Sequence, residues 1–243
     1  MRVTGLRKLA IILHIIMATI AGAALVTFGV VFFRKSRSYM DKRVHIWSQK
    51  LLQIVRAKYK IFNPYAIEFK SDRPYVIISN HLSHYDIPLI FATFPGASVR
   101  MIAKKELYRI PVFGWGIKAG ECISIDRKNP RQAYRDLVMA KEKMLSGIKI
   151  WIAPEGGRSR TGKMGEFKKG GFKLALDTKA IIVPVAIVGS NKILPPGTFD
   201  IGVDENVEMH ICKPIDTMDY GLKDLPKLMA DTASEIKEFC EGI

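Results

Sequence analysis

The sequence predicts an α/β domain, a mostly parallel or mixed sheet flanked by helices, preceded by an N-terminal helical membrane anchor. Three observations predict it. From Lys70 onward short β-branched runs alternate with helical stretches, and runs that are apolar at every position belong to a sheet buried on both faces. Ahead of them lies an uncharged apolar segment, Leu9 to Phe33. Between the two, Tyr39 to Lys60 repeats apolar residues at helical spacing on a basic background. At 243 residues and 48% hydrophobic, the chain can bury one large core with an appendage and is not a disordered chain.

The anchor comes first in the chain. "LAIILHIIMATIAGAALVTFGVVFF" carries no formal charge, and only His14 in it titrates. As a helix it reaches about 37 Å, enough to cross a hydrocarbon core of roughly 30 Å with tilt. Arg2, Arg7 and Lys8 precede it and Ala21-Gly22-Ala23 resembles a signal-peptidase site, so a cleaved signal is the competing reading. The apolar run continues well past that site, which favours retention. The flank after it (Arg34, Lys35, Arg37, Lys42, Arg43) is the more basic, so the bulk of the chain is expected on the cytoplasmic side of the membrane. Met40, Val44, Trp47, Leu51, Ile54 and Val55 then mark a helix over 39–60. Two placements suit it: packed on the core, or, as preferred here, a basic amphipathic helix at the lipid interface. The small-residue cluster at residues 21–24 would let the first helix bend, so spanning the bilayer and dipping into one leaflet both remain open. Residues 1–62 form the expected anchor and 63–243 the α/β domain, meeting near Asn63-Pro64.

In the domain, strands are expected at 74–79, 98–104, 121–126, 148–153, 180–189 and 207–214, and helices at 87–94, 130–146, 168–178 and 222–240. Loops that leave the carboxyl ends of strands build the ligand sites of such sheets. Four polar loops do so here: "SNHLSHYD", "AKKEL", "IDRKN" and "APEGGRSRTG".

In the first, His81 is placed to act as a general base. Asp86 can hold its other ring nitrogen if the chain turns between them, as Asn80 and Ser83 allow. Asp86 equally fits an N-cap for the helix that follows, and His84 reads as turn or wall. In the last, Arg158, Arg160, Lys163, Lys168 and Lys169 surround four glycines, which let a backbone approach an anion while Arg forks onto phosphate. The spacing is not that of a nucleotide P-loop, and a solvated basic loop is the plainer alternative. Lys104 and Lys105 add cations from the second loop. Cations from two loops near a histidine imply a phosphorylated substrate.

Four blocks, "NHLSHYD", "AKKELYRIPVFGWGIKAGECISIDR", "PEGGRS" and "VPVAI", stand in the order found in the glycerolipid acyltransferases with a His-four-residues-Asp signature. Over Pro74 to Ile187 the sequence resembles that family, and within it the 1-acyl-sn-glycerol-3-phosphate acyltransferases. Gly157 stands where the third block usually has Thr. The resemblance implies a glycerolipid acyltransferase-like fold and acyl transfer from acyl-CoA or acyl carrier protein to the sn-2 hydroxyl of lysophosphatidic acid, giving phosphatidic acid. It implies that His81 takes the hydroxyl proton and Asp86 orients it. Lys104 and Arg158, with Lys105 beside them, would bind the phosphate. Glu155 and Gly156 would shape the turn carrying Arg158, and Arg127 would meet phosphate or donor. Asn80, Ser83, Pro154, Ser159 and Pro184 would support the blocks, Pro184 as part of an acyl or core wall.

The nucleophile belongs to the substrate, so the expectation is a non-covalent mechanism with no metal and no cofactor. Cys122, Cys212 and Cys240 form no C-x-x-C pair and fit a reducing compartment. Net charge is +15, of which residues 1–60 hold +11. An excess concentrated beside the apolar segment points to an anionic bilayer as partner, and away from nucleic acid. Two alternatives stay open: the same chemistry on another lysolipid or glycerol 3-phosphate, and a non-catalytic basic membrane-tethered lipid- or nucleic-acid-binding module. A serine hydrolase lacks its G-x-S-x-G elbow.

Overall fold

The computed structural model describes residues 1–69, 73–126 and 129–240. Apolar runs at every position give strands whose two sides both enter a core. β2 (Tyr75–Ser79) is buried throughout: Tyr75 and Ile77 join one apolar cluster, Val76 and Ile78 the other. β3 (Val99–Lys104), β4 (Ile123–Ile125), β5 (Lys149–Ile152) and β6 (Ile181–Val188) complete its neighbourhood. With β1 (Lys58–Phe62) and β7 (Asn206–Ile211) the sheet runs β1-β7-β6-β2-β5-β3-β4, and the short β8 (Ile215–Asp216) pairs β6. Strands β2 to β6 are mutually parallel, so their carboxyl ends share one edge. β7 runs antiparallel to β6, making the sheet mixed.

Helices cover both faces. Leu51 and Leu52 of α2 (Arg37–Ile54), Leu89 and Ile90 of α3 (Asp86–Thr93) and Ile117 of α4 (Phe113–Ala119) fill the first face. Ala140 and Met144 of α5 (Pro130–Leu145), Phe172 of α6 (Gly170–Asp177) and Leu228 and Ile236 of α7 (Leu225–Cys240) fill the second. α1 (Gly5–Val31) lies along α2 and α4. It is long and apolar enough to cross a membrane, with a mean hydropathy of 2.5 over its best window. Ile11, Ile12, Ile15 and Ala18 pack on the first-face cluster, whereas Leu6, Leu9, Met17 and Phe28 are exposed.

The structure revises the basic helix. Expected to run to Lys60, it ends at Ile54. Arg56 adopts a left-handed backbone (φ 51°) and pairs with Asp204, and Lys58–Phe62 becomes β1, parallel to β7. Its apolar side does not lie open to lipid: Met40, Leu51 and Leu52 are buried and Trp47 packs on the first-face cluster. Charge fixes it further, as the buried Arg100 of β3 bonds Asp41 at 2.7 Å and Arg37 grips Glu121 at 2.8 and 2.9 Å. α4 was not expected, because "FGWGIKA" carries two glycines. Gly116 is needed there: a Cβ on it would stand 2.5 Å from that of Ala23 in α1. The remaining differences are smaller. α7 begins at Leu225 after a single 3₁₀ turn, and the strand expected over 207–214 stops at Ile211.

Candidate active site

β2 ends at Ser79, and the next six residues turn back into α3. Asn80 locks the turn to β6: its amide donates to the Ile187 carbonyl at 2.9 Å and accepts from the Ile187 N–H at 2.8 Å. Ser83 Oγ donates to the Leu194 carbonyl at 2.9 Å. Asp86, fully buried in the first turn of α3, does not cap that helix but points back into the loop. Its Oδ2 accepts from the Leu82 and Ser83 N–H groups at 2.7 and 2.9 Å and lies 2.8 Å from His81 Nδ1. Ser190, after β6, donates to its Oδ1. Three donors besides His81 hold Asp86 as an acceptor, which favours the His81 tautomer with its proton on Nδ1 and Nε2 unprotonated. The ring of Trp151 meets the His81 ring edge-on at 6.0 Å, and its indole N–H is held by Ser79 Oγ at 2.9 Å.

The β5–α6 loop closes over the same edge. His81 N–H donates to Glu155 Oε1 at 2.8 Å, Ser159 N–H donates to the His81 carbonyl at 2.7 Å, and Gly165 N–H donates to Glu155 Oε2 at 2.8 Å. Glu155 is thereby a clamp. Burial pushes its carboxyl above the ordinary range, opposed by those two N–H groups. Gly156 takes φ 77°, which a side chain would strain, and buried Pro154 accepts the Lys168 N–H at 2.9 Å. The clamp leaves Arg158 half-buried, with no carboxylate in ion-pair range among the described residues. Burial lowers its pKa, and Asp86 opposes the shift.

Lys104 ends β3 and, like Arg158, bears electrostatically on His84. Lys105 turns elsewhere, pairing with Asp126 at 2.7 Å. Pro184 is a buried residue of β6 opposite Ile78, in the core wall and outside the cavity described next. Arg127 lies outside the described residues.

An apolar cavity of about 310 Å³ opens beside this edge. Val26, Trp47, Phe91, Met101 and Ile117 line it, and so does His84. His84 is thus the wall between cavity and cations. Burial of its ring, then Arg158 and His81, lower its pKa from 6.5 to about 4, although the residue as a whole is exposed. Cys122 also lines the cavity, but burial pushes its thiol up, as it does that of Cys212, and a thiolate is disfavoured at both. No group of three or more His, Cys, Asp or Glu suited to a metal occurs among the described residues.

Sequence reasoning missed Ser190 and Trp151. Both come from strands distant in the chain, and the only signal was their position at the carboxyl ends of β6 and β5. The structure also narrows where an oxyanion could be bound. The N–H groups of His81, Leu82, Ser83 and Ser159 are already engaged, whereas those of His84, Gly157 and Arg158 have no partner among the described residues.

A family model described as Acyltransferase matches residues 63–188. A chloroplastic 1-acyl-sn-glycerol-3-phosphate acyltransferase of Arabidopsis thaliana is 36% identical over 60% of this chain and 40% of its own length. An enzyme of the same name from Pseudomonas aeruginosa is 30% identical over 59% of this chain and 54% of its own. The chain therefore spans about half the length of these curated relatives. The crystal structure of a 1-acyl-sn-glycerophosphate acyltransferase from Thermotoga maritima superposes with a TM-score of 0.78 at 26% identity, covering 98% of this chain and 97% of that one.

Proposed function

Since the chain belongs to the Acyltransferase family, we propose that it transfers an acyl group from acyl-CoA or acyl carrier protein to the sn-2 hydroxyl of lysophosphatidic acid, giving phosphatidic acid. One observation carries the reading. His84 lines the apolar cavity and lies within electrostatic reach of the His81–Asp86 pair, Arg158 and Lys104, so a His–Asp pair, cations with no ion-pair partner among the described residues and an apolar cavity meet at one place, the three features that a phosphate-bearing lipid and its acyl chain require. The names of the matched relatives agree with it.

His81 Nε2 takes the proton of the sn-2 hydroxyl as the oxygen attacks the thioester carbonyl. The tetrahedral intermediate places its negative charge toward the N–H groups of Gly157 and Arg158 or of His84. Collapse expels the thiolate, which recovers the proton from the His81 imidazolium. Asp86 stabilises that imidazolium without becoming protonated. No group on the protein is acylated, and neither a metal nor a cofactor takes part. Lys104 and Arg158 hold the phosphate, and the apolar cavity takes the acyl chain.

The lipid substrate stays in the bilayer and the donor in the cytosol, so the site works at the cytoplasmic surface of the membrane. The placement of α1 supports insertion into one leaflet over crossing. Residues 1–3 are tied to residues 201–203 of the domain, by Val3 N–H to the Ile201 carbonyl at 3.0 Å among others, and the other end of α1 returns through α2 to the same domain. Both ends therefore sit on one side.

The test is turnover of purified enzyme in mixed micelles with labelled acyl-CoA, offering lysophosphatidic acid, lysophosphatidylglycerol and glycerol 3-phosphate as acceptors. Labelled phosphatidic acid from wild type and none from His81→Ala is the expected result. Preference for another acceptor moves the substrate. A fully active His81→Ala leaves the family chemistry without its base.

A further inference from the structure

The charge of the α/β domain is unevenly placed. Residues 154–173 hold six Lys or Arg and two Glu, while the rest of residues 61–243 holds twenty of each sign. The whole excess of residues 61–243 lies in the segment formed by the β5–α6 link and the first turn of α6. We propose that this segment docks an acidic acyl carrier protein, the protein form of the acyl donor. The inference rests on the acyl-transfer reading of the site and names the partner it serves.

The segment is built into the catalytic edge. Ser159 bonds the His81 backbone, Gly165 bonds Glu155, and Lys168 N–H bonds Pro154 at 2.9 Å. The Lys168 side chain lies over Gly156, where an added Cβ would stand 2.7 Å from Nζ, so positive charge continues from Arg158 outward. Arg160, Lys163, Lys168, Lys169 and Lys173 are exposed and have no ion-pair partner among the described residues. Glu155 is spent on its two N–H groups, leaving Glu166 as the segment's one other carboxylate.

Two features choose the partner. α6 packs with α5 and α7 on the second face of the sheet, opposite the face that carries α1, so its exposed Lys173 lies on the side away from that helix. The segment lines neither the apolar cavity nor the small one beside Arg100. An open cationic surface next to a catalytic histidine suits a broad acidic one, which it would steer and orient.

The experiment compares wild type with Lys173→Glu, an exposed position of α6 outside the anion-binding loop, using acyl carrier protein thioester and acyl-CoA as separate donors to lysophosphatidic acid. KM for the carrier thioester should rise about fivefold, and its salt dependence should flatten. KM for acyl-CoA, KM for lysophosphatidic acid and kcat should stay within about twofold, as expected for a rim charge that acts on association. Lys173→Gln should move in the same direction by less. An unchanged carrier KM overturns the proposal. An equal rise with acyl-CoA gives the surface to the coenzyme, and lost binding to vesicles of anionic phospholipid gives it to the membrane; either also overturns it. Anisotropy of labelled carrier protein binding to detergent-solubilised wild type and variant tests the surface even if lysophosphatidic acid proves not to be the acceptor.

Discussion

Two clusters of charge lie inside this protein, and they are solved in opposite ways. Around Arg100 each guanidinium has a carboxylate. Asp41 bonds the guanidinium and Ser98, Arg37 forks onto Glu121, and Lys143 reaches the Glu121 carbonyl. At the carboxyl edge of the sheet Asp86 is satisfied by four donors, yet Arg158 has no carboxylate in ion-pair range among the described residues. The first arrangement fixes α2 to β3 and β4. The second leaves a half-buried cation, whose complement under the proposed function is the substrate phosphate.

The sharpest way to break the comparison is to remove one member from each cluster. His81→Ala should lower kcat by about 10²- to 10⁴-fold, the usual worth of a general base, with thermal midpoint and membrane binding unchanged. Asp41→Ala should do the reverse. It strands a buried guanidinium, costing about 3–5 kcal/mol, or roughly 6 to 20 °C in a chain of this length, and barely touches the chemistry once folded. The two effects are read by steady-state kinetics and thermal melts on the same preparations. Asp41→Leu/Arg100→Met should recover most of the lost midpoint, because replacing both charges removes the desolvation penalty along with the attraction. Recovery would mark the cluster as architectural.

Arg158→Leu probes the other side. Losing a charge-assisted bond to phosphate should raise KM for lysophosphatidic acid by about 10- to 100-fold. KM for monoacylglycerol, which lacks the phosphate, should not change. Stability should hold or rise slightly, since no partner is orphaned. A fall in midpoint would place Arg158 among the structural charges instead.

How much of this could be read from the sequence follows from how far apart the interacting parts lie. β2 and β6 are apolar at nearly every position, a local pattern that only a doubly covered sheet explains, and their expected bounds hold to a residue. β1 was hidden inside a basic helix because "KYKIF" becomes a strand only through β7, where Lys58 meets Asn206. The apolar side of α2 suits lipid or protein equally, and α1 and α3, lying against it, decide the matter. At the site, His81 and Asp86 were legible because one loop holds both. Ser190 and Trp151 were not, since β6 and β5 bring them from 104 and 72 residues away. Lys104 and Lys105 are alike in sequence, and it is Asp126, in another loop, that draws Lys105 aside.

The smallest expected effect concerns His84, which belongs to neither cluster wholly: cations face it on one side and the apolar cavity on the other. Desolvation of the ring, then Arg158, His81 and Lys104, oppose its protonation and Asp86 favours it, leaving the pKa at about 4. The unfolded chain, with the ordinary value of 6.5, then binds more protons than the folded one between these limits. Its contribution to stability is full above pH 6.5 and is lost as pH falls toward 4. His84→Gln keeps a polar ring-sized group and cannot titrate, so its melting temperature should decline less steeply than that of wild type over this window. The carboxylates titrate in both proteins, so the difference between the two curves isolates the imidazole. Parallel curves would mean that the ring is solvated, and that the wall between the phosphate site and the acyl cavity is formed by something other than His84.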